Sequence, residues 1–321
     1  MKYRAAIIGC GNIAGGYDRQ IPKEWAFTHA GAYHLCEQTD LVAVHDVDPA
    51  AMERFRQKWG PVACYRDIRE MIAKEQPHIV SICSPTETHA KVFQTICEQD
   101  VPAIFCEKPL SYHLQDALKM PDIAVGRTVA VNYFRRWNVT FQNLKTKIDA
   151  RQYGEPVKIV AYYTKGFVHN ASHLIDQLIW FFGPVQKARV MKIWWKDPND
   201  AGIDFELEFA SSPTAHIFHM KGLEYNFFEA DLFFSKGRVL LGQRGQEMIE
   251  FDSSLEPHYG QFFILKERNR RETDWKNCMK AAVDDLVACM GTKKKPKCSL
   301  QDAVGTLEVC TSLQSQIQTQ N

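Results

Sequence analysis

Short apolar runs alternate with amphipathic segments along the first 135 residues of the chain. Five such runs predict β-strands, at 5–8, 41–45, 79–83, 103–106 and 128–133. Four intervening segments carry apolar residues at helical spacing and predict helices, at 49–58, 67–75, 87–98 and 111–119. Continuous apolar strands that alternate with helices indicate a doubly wound parallel sheet, covered by helices on both faces.

Residues at the predicted helix starts agree with this assignment. Asp67, Thr86 and Ser111 are predicted N-caps, because a short polar side chain can accept a hydrogen bond from the first backbone N–H groups of a helix. Pro49 suits the first turn of a helix, where the N–H that proline lacks is not needed.

The pattern changes after residue 150. Apolar and acidic residues alternate over 203–209, which predicts a strand with one buried and one solvated face. Similar strands are predicted around 185–195, 214–220, 225–235, 237–241 and 247–251, and helices at 273–290 and 300–318. We therefore expect an α/β chain of two domains, 1–135 with a parallel sheet and 136–321 with a largely antiparallel one.

Composition narrows the classes of protein that fit. The 321 residues carry a net charge of +1, which gives no strong attraction for nucleic acid or acidic membranes. No segment approaches the apolar length of a membrane span. Ten cysteines without a C-x-x-C pair are typical of buried thiols in a reducing compartment, so we expect a cytoplasmic protein.

A glycine pair follows the first predicted strand. Gly9 permits a tight turn, Gly11 lets the backbone approach a phosphate, and the small Ala14 lets a helix pack closely on the strand. A pyrophosphate bound at such a turn lies at a helix N-terminus. The spacing predicts that residues 1–135 bind a dinucleotide.

Asp46 follows the second predicted strand. A carboxylate there can accept hydrogen bonds from both ribose hydroxyls of an adenosine, and it would repel a 2′-phosphate. This favours NAD over NADP as the cofactor. The alternative is that Asp46 or Asp48 only caps the next helix.

The distance from Gly11 to Asp46 exceeds the usual spacing of about 20 residues. We assign the excess to residues 15–28, which we call the insertion loop. It is either a lid beside the cofactor or a surface loop with a packed tryptophan, and its candidate contact residues are Tyr17, Asp18, Arg19 and Trp25.

Two polar motifs follow neighbouring predicted strands. Their side chains are expected at the carboxyl edge of the sheet, where ligands bind in such folds: Ser84, Pro85, Thr86, His89, Glu107 and Lys108. Lys108 can donate a hydrogen bond to a substrate hydroxyl and stabilise the developing alkoxide. The alternatives are a surface lysine before the Pro109 turn and, for His89, a histidine on a helix surface.

Two histidines and an acid form a third motif. His169 and His173 have i,i+4 spacing and Asp176 lies one turn further, so a helix would bring them to one side. A histidine has the basicity to take a proton from an alcohol. The motif lacks the glutamate of a zincin and no other residues complete a ligand set, so we predict no metal site. Buried structural histidines are the remaining alternative.

Together these motifs resemble those of the glucose–fructose oxidoreductase / inositol dehydrogenase (Gfo/Idh/MocA) family of NAD(P)-dependent oxidoreductases. The resemblance covers nearly the whole chain and rests on segments 9–14, 84–89, 107–109, 172–176 and 299–303. It implies a Rossmann domain followed by an α/β domain with an open, mostly antiparallel sheet. The exposed face of that sheet would form homodimers or homotetramers.

The resemblance also implies roles for individual residues. It implies that Asn12 and Ile13 belong to the dinucleotide turn, that Lys108 binds the substrate hydroxyl that reacts, and that His173 is the general acid/base. It places three further residues near the substrate: Asn132, Arg136 and Asp176. The implied substrates are sugars, polyols or nucleotide sugars.

One position departs from the family pattern. Many active members carry an acid where this chain has His169, so a lysine–aspartate pairing that would tune Lys108 is missing unless Asp176 or Asp18 replaces it. We expect an NAD-dependent dehydrogenase that oxidises a sugar, polyol or nucleotide-sugar hydroxyl or reduces the keto form. The alternatives are a non-catalytic NAD-binding regulator and a redox-neutral epimerase or hydrolase that uses NAD.

Overall fold

The computed structural model describes residues 2–210 and 213–319, which divide into two compact units. The first unit contains the chain up to Trp137 together with Lys276–Val304. The second contains Asn138–Trp275 and the chain from Gly305. The sequence-based division assigned 276–304 to the second domain, whereas in the structure this segment packs with the first unit.

A six-stranded, all-parallel sheet forms the centre of the first unit, as the apolar runs predict. The strand order is β3-β2-β1-β4-β5-β6, so the sheet reverses its direction of growth at β1. The strands are β1 (Tyr3–Ile8), β2 (Thr39–His45), β3 (Ala63–Tyr65), β4 (Ile79–Ile82), β5 (Ala103–Cys106) and β6 (Thr128–Val131). Strand β3 was not predicted, because three half-buried residues at the sheet edge carry no strong apolar signal.

Five helices cover this sheet: α1 (His29–Leu35), α2 (Pro49–Trp59), α3 (Ile68–Glu75), α4 (His89–Cys97) and α5 (Leu114–Ile123). Asp67 caps α3 by accepting from the Glu70 N–H, and Pro49 opens α2, as predicted. The caps predicted at Thr86 and Ser111 are wrong. Thr86 opens a 3₁₀ turn before α4, and α5 begins three residues after Ser111.

The second unit is built on an eight-stranded sheet in the order β14-β13-β12-β11-β7-β10-β9-β8, antiparallel except for the β7–β10 pair. Its strands are β7 (Pro156–Tyr163), β8 (Val185–Trp195), β9 (Gly202–Phe209), β10 (Thr214–His219), β11 (Phe228–Phe234), β12 (Gly237–Gly242), β13 (Glu247–Leu255) and β14 (Phe263–Glu272). The predicted alternation over 203–209 holds with one exception. Asp204 is buried, because it accepts hydrogen bonds from the Trp194 side chain and the His219 backbone.

The remaining helices are α6 (Val139–Asp149), α7 (Ser172–Phe182), α8 (Cys278–Cys289) and α9 (Leu300–Thr319). Helix α8 lies in the segment that belongs to the first unit. Ser299 forms a bridge to Ala130 there, and the Val131 N–H donates to the Cys298 carbonyl, so the edge of β6 is covered. None of the helices in the described part of the chain combines the length and apolar character needed to cross a bilayer.

A buried carboxylate joins three elements of the second unit. The Glu250 side chain, in β13, is fully buried and accepts from Lys147 Nζ over 2.7 Å and from Arg268 over 2.8 Å. Tyr153 and Arg271 also donate to it. Burial alone would raise the pKa of Glu250, but the hydrogen bonds from Lys147, Tyr153 and Arg271 outweigh it and hold the pKa below its usual range.

We expect Glu250→Gln to lower the free energy of unfolding at pH 7 by about 3 kcal/mol, because it leaves buried cations without their carboxylate. A lowered native-state pKa contributes stability at pH values above the ordinary glutamate range. The difference in the free energy of unfolding between Glu250→Gln and wild type should therefore become smaller as the pH falls below about 4. Urea unfolding at several pH values measures both effects.

The control is Glu267→Gln, which removes an exposed carboxylate paired with Arg270. It should change the free energy of unfolding by less than about 0.5 kcal/mol. Equal losses of unfolding free energy in the two variants would show that the buried cluster stabilises the protein no more than an exposed ion pair does.

Candidate active site

The loop after β1 turns sharply at Gly9. Its φ is +92°, a conformation that residues with a side chain rarely adopt. A Cβ at this position would lie 2.6 Å from the Ser84 nitrogen, in the loop after β4. The Gly9 N–H also donates to the His45 carbonyl at the end of β2, over 2.7 Å. Only glycine fits here, because the ends of three neighbouring strands converge on it.

Gly11 lies in a different environment. Its backbone is extended, with φ −80°, and a Cβ there would meet no atom within 4 Å. A five-residue π-helical turn follows, Asn12–Gly16, in which Ala14 is buried. The helix expected after the glycine turn is thus a single turn, and the next helix, α1, begins only at His29.

The insertion loop is held at both ends. Lys58 Nζ, at the end of α2, donates to the Gly15 carbonyl over 2.6 Å and to the Asp18 carbonyl. The buried Asp18 carboxylate accepts from the Phe27 N–H over 2.8 Å and from Thr28 Oγ1 over 2.5 Å. Asp18 therefore fastens the loop to itself, and these bonds do not support the expectation that it replaces the missing acid near Lys108.

The middle of the insertion loop is open to solvent. Tyr17 is exposed, and the half-exposed Trp25 ring packs against Phe27 with ring centroids 4.9 Å apart. A lid role for this loop stays a prediction.

Asp46 connects the glycine turn to β2. Its Oδ2 accepts from the Cys10 N–H over 2.7 Å, and its Oδ1 accepts from the Asp48 N–H over 2.9 Å. Asp48, one of the two residues considered as caps, is the one that caps α2, by accepting from the Ala50 N–H. Burial, reinforced by the Asp46 charge, raises the pKa of the Cys10 thiol to about 12, so this cysteine stays neutral.

His89 is buried and joins two loops at the carboxyl edge of the sheet. Its Nδ1 lies 2.8 Å from the Pro109 carbonyl and its Nε2 lies 2.9 Å from the Ser84 carbonyl. The alternative of a histidine on the helix surface is therefore wrong. Thr88 Oγ1 donates to Ser84 Oγ over 2.7 Å and braces the same loop.

Glu107 lies at the centre of a buried hydrogen-bond network. Its Oε1 is 2.9 Å from His29 Nε2 and accepts from Asn132 Nδ2 over 2.6 Å. The other ring nitrogen of His29 lies 2.9 Å from Ser81 Oγ, which is 2.6 Å from the Tyr33 hydroxyl. The network joins β4, β5, the end of β6 and α1 at Glu107, the residue before Lys108.

The charge of Glu107 is maintained by its neighbours. Burial would raise its pKa, but the hydrogen bonds from His29 and Asn132 and the charge of Lys108 hold the pKa below its usual range. The half-buried Lys108 follows this carboxylate in the chain, and its backbone N–H donates to Glu107 Oε2 over 3.3 Å. His29, Ser81 and Tyr33 were not predicted as site residues, since no spacing rule links His29 to a partner 78 residues away.

Arg136 contacts the segment Lys276–Val304, which packs with the first unit. The arginine is buried, and its Nη1 is 3.0 Å from Asp302 Oδ1 and 3.4 Å from the Lys297 carbonyl. The neighbouring Trp137 donates to Asp285 over 2.9 Å. These contacts give Arg136 a structural role that the sequence did not predict, and its place near the substrate stays a prediction.

His169 lies in the second unit, in a π-helical turn (Phe167–Ala171) that precedes α7. Its Nδ1 is 3.0 Å from Asp200 Oδ2, and Asp200 Oδ1 accepts from the backbone N–H groups of Val168 and His169. A Cβ on Gly166 would collide with this carboxylate. Asp200 is a candidate site residue that the sequence analysis missed, because 31 residues separate it from His169.

His173 and Asp176 belong to the first turns of α7, and both are buried. Asp176 Oδ1 accepts from Thr306 Oγ1 over 3.3 Å. Asn170 Nδ2, between the two histidines, donates to the Thr164 carbonyl over 2.6 Å. In the described ranges 2–210 and 213–319, no three histidine, cysteine or acidic side chains cluster as metal ligands.

The parallel sheet, the glycine turn and the acid after β2 define a dinucleotide-binding protein of the Rossmann type. Residues 3–133 match the Gfo/Idh/MocA model, described as an oxidoreductase family with an NAD-binding Rossmann fold. The match covers the part of the chain that forms the parallel sheet.

Curated relatives match about half of the chain. A myo-inositol 2-dehydrogenase from Thermotoga maritima is 28% identical over 155 residues, which cover 48% of this chain and 42% of the relative. A D-glucoside 3-dehydrogenase from Escherichia coli is 28% identical over 154 residues, covering 47% and 40%. The matches thus span less than half the length of either relative.

Solved structures share the fold over nearly the full chain. The WlbA dehydrogenase from Bordetella pertussis, crystallised with NADH and UDP-GlcNAcA, superposes with a TM-score of 0.78 at 17% identity and covers 99% of this chain and 97% of its own. The UDP-N-acetylglucosamine 3-dehydrogenase GnnA from Acidithiobacillus ferrooxidans gives 0.77 at 14% identity, covering 98% and 99%.

The two glycines of the turn should respond differently to alanine. We expect Gly11→Ala to fold normally, because its Cβ meets no atom, but to bind NAD much more weakly, because that Cβ occupies the approach to the phosphates. Gly9→Ala should lose about 2 kcal/mol or more of stability, since its backbone conformation is strained for alanine.

Thermal unfolding and NAD titration by calorimetry separate the two effects. Unchanged NAD affinity in Gly11→Ala would contradict the assignment of this turn to the phosphates.

Proposed function

We propose that the chain is an NAD-dependent dehydrogenase that oxidises a hydroxyl of a sugar, polyol or nucleotide sugar, or reduces the corresponding ketone. The observation that carries the proposal is the 2.7 Å hydrogen bond from the Cys10 N–H to the Asp46 carboxylate. It joins the glycine turn to an acid 36 residues away. The backbone of the turn and the Asp46 carboxylate are together the two groups that recognise an adenosine diphosphate.

The residues around the turn fit a bound dinucleotide. The backbone at Gly11 is open on the side where a Cβ would project, so a phosphate can approach it. The half-buried Asp46 can accept from ribose hydroxyls. Further cofactor contacts are proposed for Asn12, Ile13, Ser84, Pro85 and Thr86. His89 and Glu107, whose polar atoms contact protein groups, would act by positioning these loops.

NAD, when bound, supplies the hydride acceptor or donor. The protein has three tasks: to orient the hydroxyl, to remove its proton and to stabilise the oxygen. We assign the last task to Lys108, the residue that follows the buried Glu107 and whose charge helps to lower the pKa of that carboxyl. Glu107 is held in turn by His29 and Asn132, so the network sets the charge beside the lysine.

For proton transfer we propose His173, with His169 as the second candidate. Asp200 lies 3.0 Å from Nδ1 of the His169 ring and fixes the orientation of the ring. The absence of an acid at position 169 was the feature that favoured a non-catalytic regulator. A carboxylate is nevertheless present beside this position, contributed by the segment between β8 and β9.

Substitution of Asp46 tests the cofactor assignment. We expect Asp46→Ala to weaken the binding of NAD by about tenfold or more and to affect the binding of NADP much less. The reason is that the carboxylate binds the ribose hydroxyls and repels a 2′-phosphate. Calorimetric titration of both cofactors measures the ratio. Asp48→Ala, which removes the neighbouring helix cap, is the matched control and should leave the ratio unchanged. Equal losses for the two cofactors in Asp46→Ala would contradict the ribose contact.

Substitution of Lys108 tests the chemistry. We expect Lys108→Ala to lower kcat about 10³-fold, with NAD affinity almost unchanged, because the lysine stabilises the alkoxide rather than the dinucleotide. Turnover is followed by NADH absorbance over a panel of inositols, sugars and nucleotide sugars. Lys91→Ala, an exposed lysine on α4, is the control and should behave as wild type.

The same assay ranks the histidines. His173→Gln should lose about 10²–10⁴-fold in kcat and His169→Gln less, if His173 is the general base. Full activity in Lys108→Ala, or a wild type that binds NAD but turns over no member of the panel, would favour the regulator instead.

We further propose a homo-oligomer formed through the second unit, working in the cytoplasm. One observation supports the oligomer, a cluster of exposed apolar side chains near the β13–β14 turn that includes Tyr259, Phe262 and Phe263. The ten cysteines, without a C-x-x-C pair, support a reducing compartment.

A further inference from the structure

A cavity of about 360 Å³ lies in the second unit, at one end of the large sheet. The ends of β7, β8 and β10 and the connection from β10 to β11 enclose it. Its chemically distinctive lining residues are Lys165, Trp195, His219, Lys221, Tyr225 and Asn226. None of them was singled out by the sequence, because they come from three separate segments.

His219 is the most informative residue of this cavity. The side chain is buried, and neither ring nitrogen makes a hydrogen bond of standard geometry within the described residues, although the Lys165 backbone interacts with the ring. The nearby Asp204 carboxylate accepts from the His219 backbone N–H over 2.7 Å. The ring packs edge-on against Trp195 and Tyr163, with centroids 4.6 Å and 5.1 Å away.

A buried imidazole without hydrogen bonds costs about 1–3 kcal/mol. Burial lowers the pKa of His219, although Asp204 and the Lys165 backbone act in the opposite direction, so the ring is held neutral. A neutral imidazole has one N–H donor and one acceptor. A ligand in the cavity would satisfy them and recover that cost.

The charges around the cavity favour an anion. Lys165 and Lys221 are both exposed, and neither forms an ion pair within residues 2–210 and 213–319. Lys221 Nζ lies 5.8 Å from the Trp194 ring. Glu224 is the acidic side chain that lines the cavity, and it is exposed. The exposed Tyr225 offers a ring face on which a sugar or a base can stack.

The cavity adjoins the candidate histidine motif of the same unit. Thr164, which lines it, accepts at its carbonyl from Asn170 Nδ2 over 2.6 Å. Thr164 Oγ1 donates to Asn226 Oδ1 over 2.8 Å and ties the β10–β11 connection to β7. Asn170 lies between His169 and His173 in the chain, so one hydrogen bond connects the cavity to the turn that carries the proposed base.

We propose that this cavity binds the phosphate group of a phosphate-bearing sugar, and that it holds the part of the substrate that does not react. The inference rests on the proposed function in taking the ligand to be the substrate. The His219 N–H donates to a phosphate oxygen, Lys165 and Lys221 neutralise the phosphate charge, and Tyr225 packs on the attached ring. The phosphate comes either from a sugar 1-phosphate or from the diphosphate of a nucleotide sugar.

Calorimetry on the full chain without NAD tests the site independently of turnover. The probes are glucose 1-phosphate, UDP-glucose, glucose and inorganic phosphate. We expect one of the two phosphate-bearing sugars to bind at least tenfold more tightly than glucose or inorganic phosphate. Preference for glucose 1-phosphate indicates a terminal phosphate, and preference for UDP-glucose indicates a diphosphate. Binding of inorganic phosphate as tight as that of both sugars overturns the proposal.

Variants place the binding in this cavity. His219→Phe keeps a ring but removes both nitrogens, and it should weaken binding about tenfold. His216→Phe, on the same strand but paired with Glu206 over 2.9 Å, is the matched control and should bind as wild type. Wild-type affinity in folded His219→Phe overturns the proposal.

The lysines give a second test that does not depend on a core substitution. Lys165→Ala and Lys221→Ala should each weaken the binding of the sugar phosphate several-fold. Lys158 is exposed on β7, and Lys158→Ala should leave this binding unchanged. Equal affinity in all three variants overturns the proposal. A wild type that binds the sugar phosphate but shows no NAD binding supports the cavity and refutes only the dehydrogenase.

Discussion

The buried Glu107 carboxylate is the interaction on which the first unit's candidate site depends. A buried charge is tolerated only where hydrogen bonds and neighbouring charge replace its hydration, and here His29, Asn132 and Lys108 do so. Each of these partners comes from a different part of the chain. Satisfying one carboxylate therefore fixes α1, the end of β6 and the lysine-bearing loop relative to each other, and a single substitution at Glu107 would release all of them.

Features of the fold and of the candidate site could be predicted from the sequence where their physical cause is local. Gly9 has a positive φ that only glycine adopts readily, and the apolar runs of the parallel strands are buried on both faces, so both leave clear signals in a single segment. The same applies to the Asp67 cap, whose partner lies three residues away. The alternation over 203–209 was also legible, although Asp204 turned out to be buried by partners on other strands.

The parts that were missed depend on contacts between distant residues. Asp200 reaches His169 from a loop 31 positions away, and Asp302 reaches Arg136 from the last helix. His219 shows the same limit, because an imidazole in a strand pattern looks like any half-buried residue until its missing hydrogen bonds are seen. A site formed by residues that are distant in the chain leaves no spacing pattern in the sequence and cannot be predicted from spacing alone.

The return of residues 276–304 to the first unit has a consequence for how the chain can be divided. Cys298 and Ser299 cover the outer edge of β6, and Asp302 neutralises the buried Arg136. A fragment that ends at Trp137 would present a bare strand edge and would lack the carboxylate that pairs with the buried Arg136, and a bare strand edge promotes aggregation. The amino-terminal half is thus not an autonomous module: natural fusions and laboratory truncations must carry the distal segment along with it.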